Sequence, residues 1–179
     1  MPRLVADPFH RLYNLNQNGS WRRSVDDATS PLIVGYLCTW CAYRAADLVG
    51  TTRRPYAANL RPLRVVCTGR VGTELVMRTL AAGADGVLIV GCHPGECHRV
   101  DGNLKALRRV TLLRRVLAQV GVEEERVQLV WSAASEGAAL AEAADQMTET
   151  LRRLGPLARR TDVFEALHPD GWPGVLEGA

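Results

Sequence analysis

A chain of 179 residues with 47% hydrophobic and 23% charged side chains has the size of one globular domain and is too apolar to be disordered over most of its length. At this length a folded chain buries roughly 70% of the surface that its unfolded form exposes, so a core forms without disulfides or metal. The formal net charge of +3 comes almost wholly from dispersed arginines, Lys105 being the only lysine, which is not a nucleic-acid signature.

Residues 1–31 are polar and irregular, with Asn14, Asn16, Asn18 and Gly19 close together and Asp26-Asp27 ahead of Pro31, and they read as an extension. The opening MPRLVADPFHRLYN lacks the apolar stretch of a secretory leader. The longest apolar run, Gly86 to Cys92, is far below the roughly 20 residues that span a bilayer. The expected location is the cytoplasm, with neither membrane nor nucleic acid as a partner.

From Leu32 onward strand and helix patterns alternate. Leu32 to Leu37 is a short apolar run that predicts a strand, followed by a helix over about Thr39 to Leu48 closed by Gly50. A polar loop from Thr51 to Pro62 leads to a second strand, Leu63 to Cys67. A helix over Gly72 to Ala82 follows, with Leu75, Val76, Leu80 and Ala81 on one side and Gly83 as its stop. The continuous run Gly86 to Cys92 predicts a central strand buried on both faces of a parallel sheet. After the loop HPGECHRVDGN, Leu104, Leu107, Val110, Leu113, Leu117 and Val120 recur at helical spacing and end at Gly121. A fourth strand is expected at Arg126 to Trp131. The last helix is capped by Ser135, with Leu140, Ala144, Met147, Leu151 and Leu154 inward and Gly155-Pro156 as its stop. Four β-α units of about 30 residues predict a single α/β domain over 32–156, with a parallel sheet of about four strands flanked by helices. Residues 157–179 form a tail.

The five cysteines, Cys38, Cys41, Cys67, Cys92 and Cys97, are an odd number crowded into the middle third, a poor disulfide framework. Cys38, Cys67 and Cys92 each follow a predicted strand, and the carboxyl ends of parallel strands share one edge, where ligands bind. Cys41 falls in the first turn of a helix and Cys97 in the loop after Cys92. A lone cysteine at a strand end is ordinarily a small core hydrophobe, but five from three β-α connections converging on one edge make a thiol site. Three chemistries fit it: a structural zinc, an iron–sulfur cluster, or a dithiol pair in Cys38-Thr39-Trp40-Cys41. Zinc favours two paired C-x-x-C knuckles, and only one such pair is present. Cys38 and Cys41 stand at a helix N-terminus, which favours thiolates.

Around the thiols, Arg70 and Arg99 are placed to offset the negative charge of a four-thiolate [2Fe–2S] cluster, against the plainer reading of solvated surface arginines. His93 and His98 flank Cys92 and Cys97 and suit hydrogen bonding to sulfur better than ligation, because five thiols already exceed four ligand positions. Pro94-Gly95 predicts a turn that folds Cys97 back toward Cys92. Trp40 either shields the site or packs in the core. No glycine-rich dinucleotide fingerprint, phosphate loop or Ser-His-Asp set is suggested by spacing.

The ordered motifs YLCTWC, VVCTGRV, GADGVLIVGCHPGECHRVDGN and WSAASEG closely resemble the delta subunit of methyl-viologen-reducing hydrogenase and its relatives, over about Leu32 to Pro156. The resemblance implies a small iron–sulfur protein that binds one [2Fe–2S] cluster through four of Cys38, Cys41, Cys67, Cys92 and Cys97. It also implies an electron relay, not a complete enzyme, between a hydrogenase or formate dehydrogenase module and the flavin-containing subunit of a heterodisulfide-reductase-type complex, where electron bifurcation occurs. The extension and the tail depart from the family pattern. Two rival readings stand beside this one: a zinc-stabilised scaffold protein without a redox role, and a thiol-disulfide oxidoreductase using Cys38 and Cys41.

Overall fold

The computed structural model describes residues 30–157. The expected N-terminal extension up to residue 29 and the tail from residue 158 lie outside the described residues. Within them, four strands and four α-helices alternate: β1 (Ile33–Cys38), α1 (Ala42–Thr51), β2 (Leu60–Val65), α2 (Thr73–Ala81), β3 (Gly86–Gly91), α3 (Gly102–Gln119), β4 (Val127–Trp131) and α4 (Gly137–Leu154). Short 3-10 turns at Thr68–Arg70 and Glu124–Arg126 precede α2 and β4. All strands are parallel and run in the order β2-β1-β3-β4, as the four-unit reading predicts.

Parallel strands covered on both faces need apolar side chains at every position, and β1 and β3 are buried throughout. Their alternation divides the core in two. Ile33, Leu37, Leu88 and Val90 pack with Leu140, Ala144, Met147 and Leu151 of α4 and Ala42 and Ala45 of α1. Val34, Tyr36, Val87 and Ile89 pack with Val76 and Leu80 of α2 and Val110, Leu113 and Leu117 of α3. The molecule is therefore a three-layer sandwich with its cysteines at one edge. No helix among the described residues is long and apolar enough to cross a membrane.

Several element bounds differ from the periodicity reading, each for a local reason. Helix α1 begins at Ala42, not Thr39, because Thr39 holds the Val65 carbonyl with both its backbone N–H (2.8 Å) and its hydroxyl (3.0 Å). Gly50 lies inside α1 instead of closing it. Strand β2 starts three residues early, at Leu60, because Asn59 ties its start to β1: its side chain donates to the Pro31 carbonyl (2.6 Å) and its carbonyl accepts from Ile33 N–H (3.1 Å). Pro62 is tolerated there because β2 is an edge strand. Ser135 does not cap α4; Glu136 occupies that position without a side-chain cap bond to the helix.

Two helical faces are also rotated from expectation. On α2, Val76, Thr79 and Leu80 are buried and Leu75 is exposed, because the Thr79 hydroxyl meets the buried Tyr36 hydroxyl at 2.6 Å. On α3 the inner stripe is Asn103, Ala106, Val110, Leu113 and Leu117, while Leu104, Leu107 and Val120 face outward. Asn103 anchors that rotation by donating to the Cys92 and His93 carbonyls (3.0 and 2.7 Å). Unlike Gly50, the other three glycine stops hold as read: Gly83 (φ 120°), Gly121 (φ 81°) and Gly155 (φ 78°) adopt backbone angles that favour glycine.

Leu88, fully buried in the central strand β3, is the plainest probe of this core. Leu88→Ala is expected to lower stability by ~2–5 kcal/mol, read as a reduced urea midpoint with an unchanged slope.

Candidate metal centre

The strand order opens a crevice at the carboxyl edge. The chain leaves β1 toward β2 and leaves β3 toward β4, on opposite sides, so the neighbouring ends of β1 and β3 form a topological switch point. Cys38 is the last residue of β1 and Cys92 the first after β3, and their sulfurs lie 3.9 Å apart. Cys41, at the N-cap of α1, joins them: the three ligand atoms all lie within 4.8 Å of one another. No histidine belongs to this group among the described residues.

Cys67 and Cys97 form a second pair beside this triad. Cys67 caps the 3-10 turn after β2, its sulfur accepting from Gly69 N–H at 3.4 Å. A turn closed by Glu96 N–H to the His93 carbonyl (3.0 Å), with Gly95 at φ 85°, reverses the chain as Pro94-Gly95 predicts. The turn brings Cys97 back to the site, where it packs against the cluster that holds Cys38, Cys41 and Cys92 and shares the space over Gly102 with Cys67. Both sulfurs sit over Gly102 at the start of α3, where a Cβ would overlap Cys67 Sγ and lie 3.4 Å from Cys97 Sγ. A Cβ on Gly69 would come within 2.8 Å of the Gly102 Cα. Turn and helix backbones thus touch because neither carries a side chain there. Thr68 fills the space that Gly91 leaves open at the end of β3.

Cys38, Cys41, Cys67 and Cys92 are buried and Cys97 is half-buried, and the protonation of the four buried thiols is shaped by their neighbours. Cys38 is held down to about 5, first by the hydrogen bond from the Cys41 thiol and further by backbone N–H groups of Trp40 and Cys41. Cys41 is pushed up, first because its proton is engaged by Cys38 and then by burial. Burial is the largest cause raising Cys92, opposed by the Cys41 thiol and the His98 backbone N–H. Burial likewise raises Cys67, opposed by Gly69 N–H, with charge at Cys97 and Cys38 adding to the rise. Charge at Cys38 thus reaches Cys67 and links the triad to the pair.

The polar surroundings divide between two clefts. One, of about 430 Å³, has Cys67 in its wall together with Arg70 and Arg99. The other, of about 410 Å³, is lined by the edges of the buried Cys41 and Cys92 together with Trp40, His93 and His98. The Trp40 ring, 36% exposed, stacks on His98 at 3.7 Å, and the Arg44 guanidinium lies 5.9 Å from its centroid. Trp40 therefore covers the site instead of filling the core. His93 Nε2 meets Glu136 Oε2 at 2.7 Å, and the same oxygen accepts from Ala133 N–H at 2.7 Å. That partner holds the Glu136 carboxyl below the usual carboxylate range and clamps the Cys92 loop to the turn before α4.

Glu136, Asn103 and Gly102 all shape the site, and sequence reasoning singled out none of them. Asn103 carried the one usable signal, a polar residue at the start of an apolar-periodic helix, although its side chain bonds backward to the cysteine loop. Glu136 lies 43 residues from His93, a separation at which spacing carries no information.

Residues 33–155 match the model of the family described as methyl-viologen-reducing hydrogenase, delta subunit. An F420-non-reducing hydrogenase iron-sulfur subunit of Archaeoglobus profundus is 47% identical over 126 residues, covering 70% of this chain and 92% of that protein. The vhc iron-sulfur subunit of an F420-non-reducing hydrogenase of Methanococcus voltae is 42% identical over 126 residues, 70% of this chain and 88% of its own length. One subunit of the ferredoxin/F(420)H(2)-dependent CoB-CoM heterodisulfide reductase of Methanosarcina acetivorans is 39% identical over 127 residues, 71% of this chain but 16% of that longer protein.

Two outcomes test the site's construction. Gly102→Ala forces Cys67 or the start of α3 to move and is expected to cost ~1–3 kcal/mol, read from urea unfolding. Gly50→Ala, with nothing within 4 Å of its new Cβ and a helical host, is the matched control and should be neutral or slightly stabilising. In reduced, metal-free protein the ultraviolet thiolate absorbance should show one early ionisation at about 5. Cys41→Ala removes the donor that favours the Cys38 thiolate, so that step should move upward toward the ordinary cysteine range, about 8.5.

Proposed function

The chain belongs to the family of the methyl-viologen-reducing hydrogenase delta subunit, and on that premise we propose that it is an electron-transfer protein carrying one [2Fe–2S] cluster. It passes electrons between a hydrogenase or formate dehydrogenase module and a flavin-containing, heterodisulfide-reductase-like subunit of an electron-bifurcating complex. Its place is the cytoplasm, where thiols stay reduced.

The observation that carries this reading is the meeting of five thiols at the switch point of a parallel sheet, a triad within 4.8 Å and a pair over Gly102. The donor set fits an iron–sulfur group: soft sulfur ligands, shielded by the apolar cluster under α1 and α4, with backbone N–H groups of Trp40, Cys41, Gly69 and His98 directed at them. Cys38, Cys41 and Cys92 supply three ligands and the Cys67–Cys97 pair the fourth, which leaves one thiol of that pair as the fifth. A bound [2Fe–2S] group supplies one-electron redox chemistry. The chain contributes the rest: thiolates held in register by three strand ends, N–H groups that stabilise negative charge on sulfur, and Trp40 and His98 stacked over one approach.

The relatives support both ends of the relay. Two carry the name of hydrogenase iron-sulfur subunits. In a third the matching stretch is part of a longer heterodisulfide reductase polypeptide, which supports a working position directly beside such a protein. A domain of this size with two clefts reaching one thiol site suits a relay with a donor on one side and an acceptor on the other.

Anaerobically purified protein is expected to contain two iron and two acid-labile sulfide per chain, with the visible spectrum of a [2Fe–2S] centre. Single serine substitutions at Cys38, Cys41 and Cys92 should each lose or distort that spectrum, as should only one of Cys67→Ser and Cys97→Ser. Colourless protein with stoichiometric zinc, or five tolerated substitutions, would overturn the proposal.

A further inference from the structure

We propose that the surface around the Cys67 wall of the site is the docking face for a carboxylate-rich patch on a partner redox protein. The inference rests on the electron-transfer reading above and adds to it the face used and the chemistry of the partner.

The cleft where the Thr68–Arg70 turn meets α3 is lined by Arg70, Arg99 and Lys105, with Asp101 as its one carboxylate. Lys105 pairs with Asp101 at 3.1 Å. Arg70 and Arg99 have no ion-pair partner among the described residues. The cationic character continues along α3, which carries Lys105, Arg108, Arg109 and Arg115 and no acidic residue, its Arg114 being paired with Glu124 at 3.7 Å. In a chain whose total formal charge is only +3, that is a strong local excess.

Apolar groups stand among these cations. Val66, next to Cys67, is 58% exposed, and Val100 is 87% exposed. Val100 also holds φ at 64°, a left-handed backbone that a β-branched residue seldom adopts, fixed by its N–H donating to the Cys97 carbonyl at 2.9 Å. The same short turn thus carries a site cysteine and presents a valine to solvent. Exposed apolar residues beside a buried redox-type site, rimmed by unpaired arginines, have the composition of a transient docking face: the apolar part excludes water at the contact, and the charged rim steers and orients the partner. The complement of such a rim is a carboxylate-rich surface. The second cleft lacks this character, since Glu96 and the Glu136-bound His93 stand beside its Arg44.

The test uses the complex that co-purifies from the native source. Electron transfer from the chain to its neighbour in that complex should fall about tenfold between low and high salt. Arg70→Glu and Arg99→Glu should each slow it about tenfold at low salt, with iron and sulfide content unchanged. Arg153→Glu, near the far end of α4, should stay within about twofold of the unaltered chain. Lys105, the only lysine, provides a second readout: with its internal partner removed by Asp101→Asn, carbodiimide coupling in the intact complex should join it to an aspartate or glutamate of the neighbouring protein. A salt-independent rate together with an unlinked Lys105 in an intact, iron-containing complex overturns this docking face and leaves the cluster reading standing. Absence of iron with Lys105 still linked overturns the cluster reading and leaves the face as an acidic-partner interface.

Discussion

The pairing of β1 with β3 is the constraint on which the rest of this structure depends. Their parallel register, Ile33 with Gly86 through Leu37 with Val90, ends β1 at Cys38 and β3 at Gly91, so Cys38 and Cys92 stand one residue apart in level and the two sulfurs come to 3.9 Å. A one-residue slip would reverse which face each side chain meets. It would also set the two buried patterns, Leu88 and Val90 toward α4 and Val87 and Ile89 toward α3, against the wrong helices. The core therefore enforces the register, and the register brings the thiols together.

Around that pair, the site is assembled by the absence of side chains as much as by their presence. Gly102 leaves room for two sulfurs, Gly69 lets the turn after β2 lie against the start of α3, and Gly91 admits Thr68. With the backbones this close, N–H groups reach the sulfurs and oppose the effect of burial by favouring the charged form. Cys38 shows the outcome most clearly, as a thiolate favoured by a neighbouring thiol and two backbone donors. The clamp of His93 on Glu136 and the bonds from Asn103 hold the Cys92 loop from two directions.

Family membership and physical construction agree on where the shared architecture ends. The family match covers 33–155, nearly the span over which strands and helices alternate. The 39% identity of this stretch to part of a much longer reductase polypeptide is consistent with a module whose stability comes from its own core. On the surface of that module, the exposed apolar residues of α3 and the cations beside Cys67 distinguish one face from the others.

Read alone, the sequence determined the number and type of elements, the burial of β1 and β3, and the placing of cysteines at strand ends, because hydrophobic periodicity and glycine stops are local signals. It misplaced the starts of α1 and β2 and the inner faces of α2 and α3, each decided by a distant partner: Thr39 on Val65, Asn59 on Pro31, Thr79 on Tyr36, Asn103 on Cys92. Only the tertiary structure decided that Cys38, Cys41 and Cys92 form one group and that Cys97 turns to Cys67. Strand order and the close approach of glycine backbones are set by packing between segments far apart in the chain, and no spacing along the chain records them.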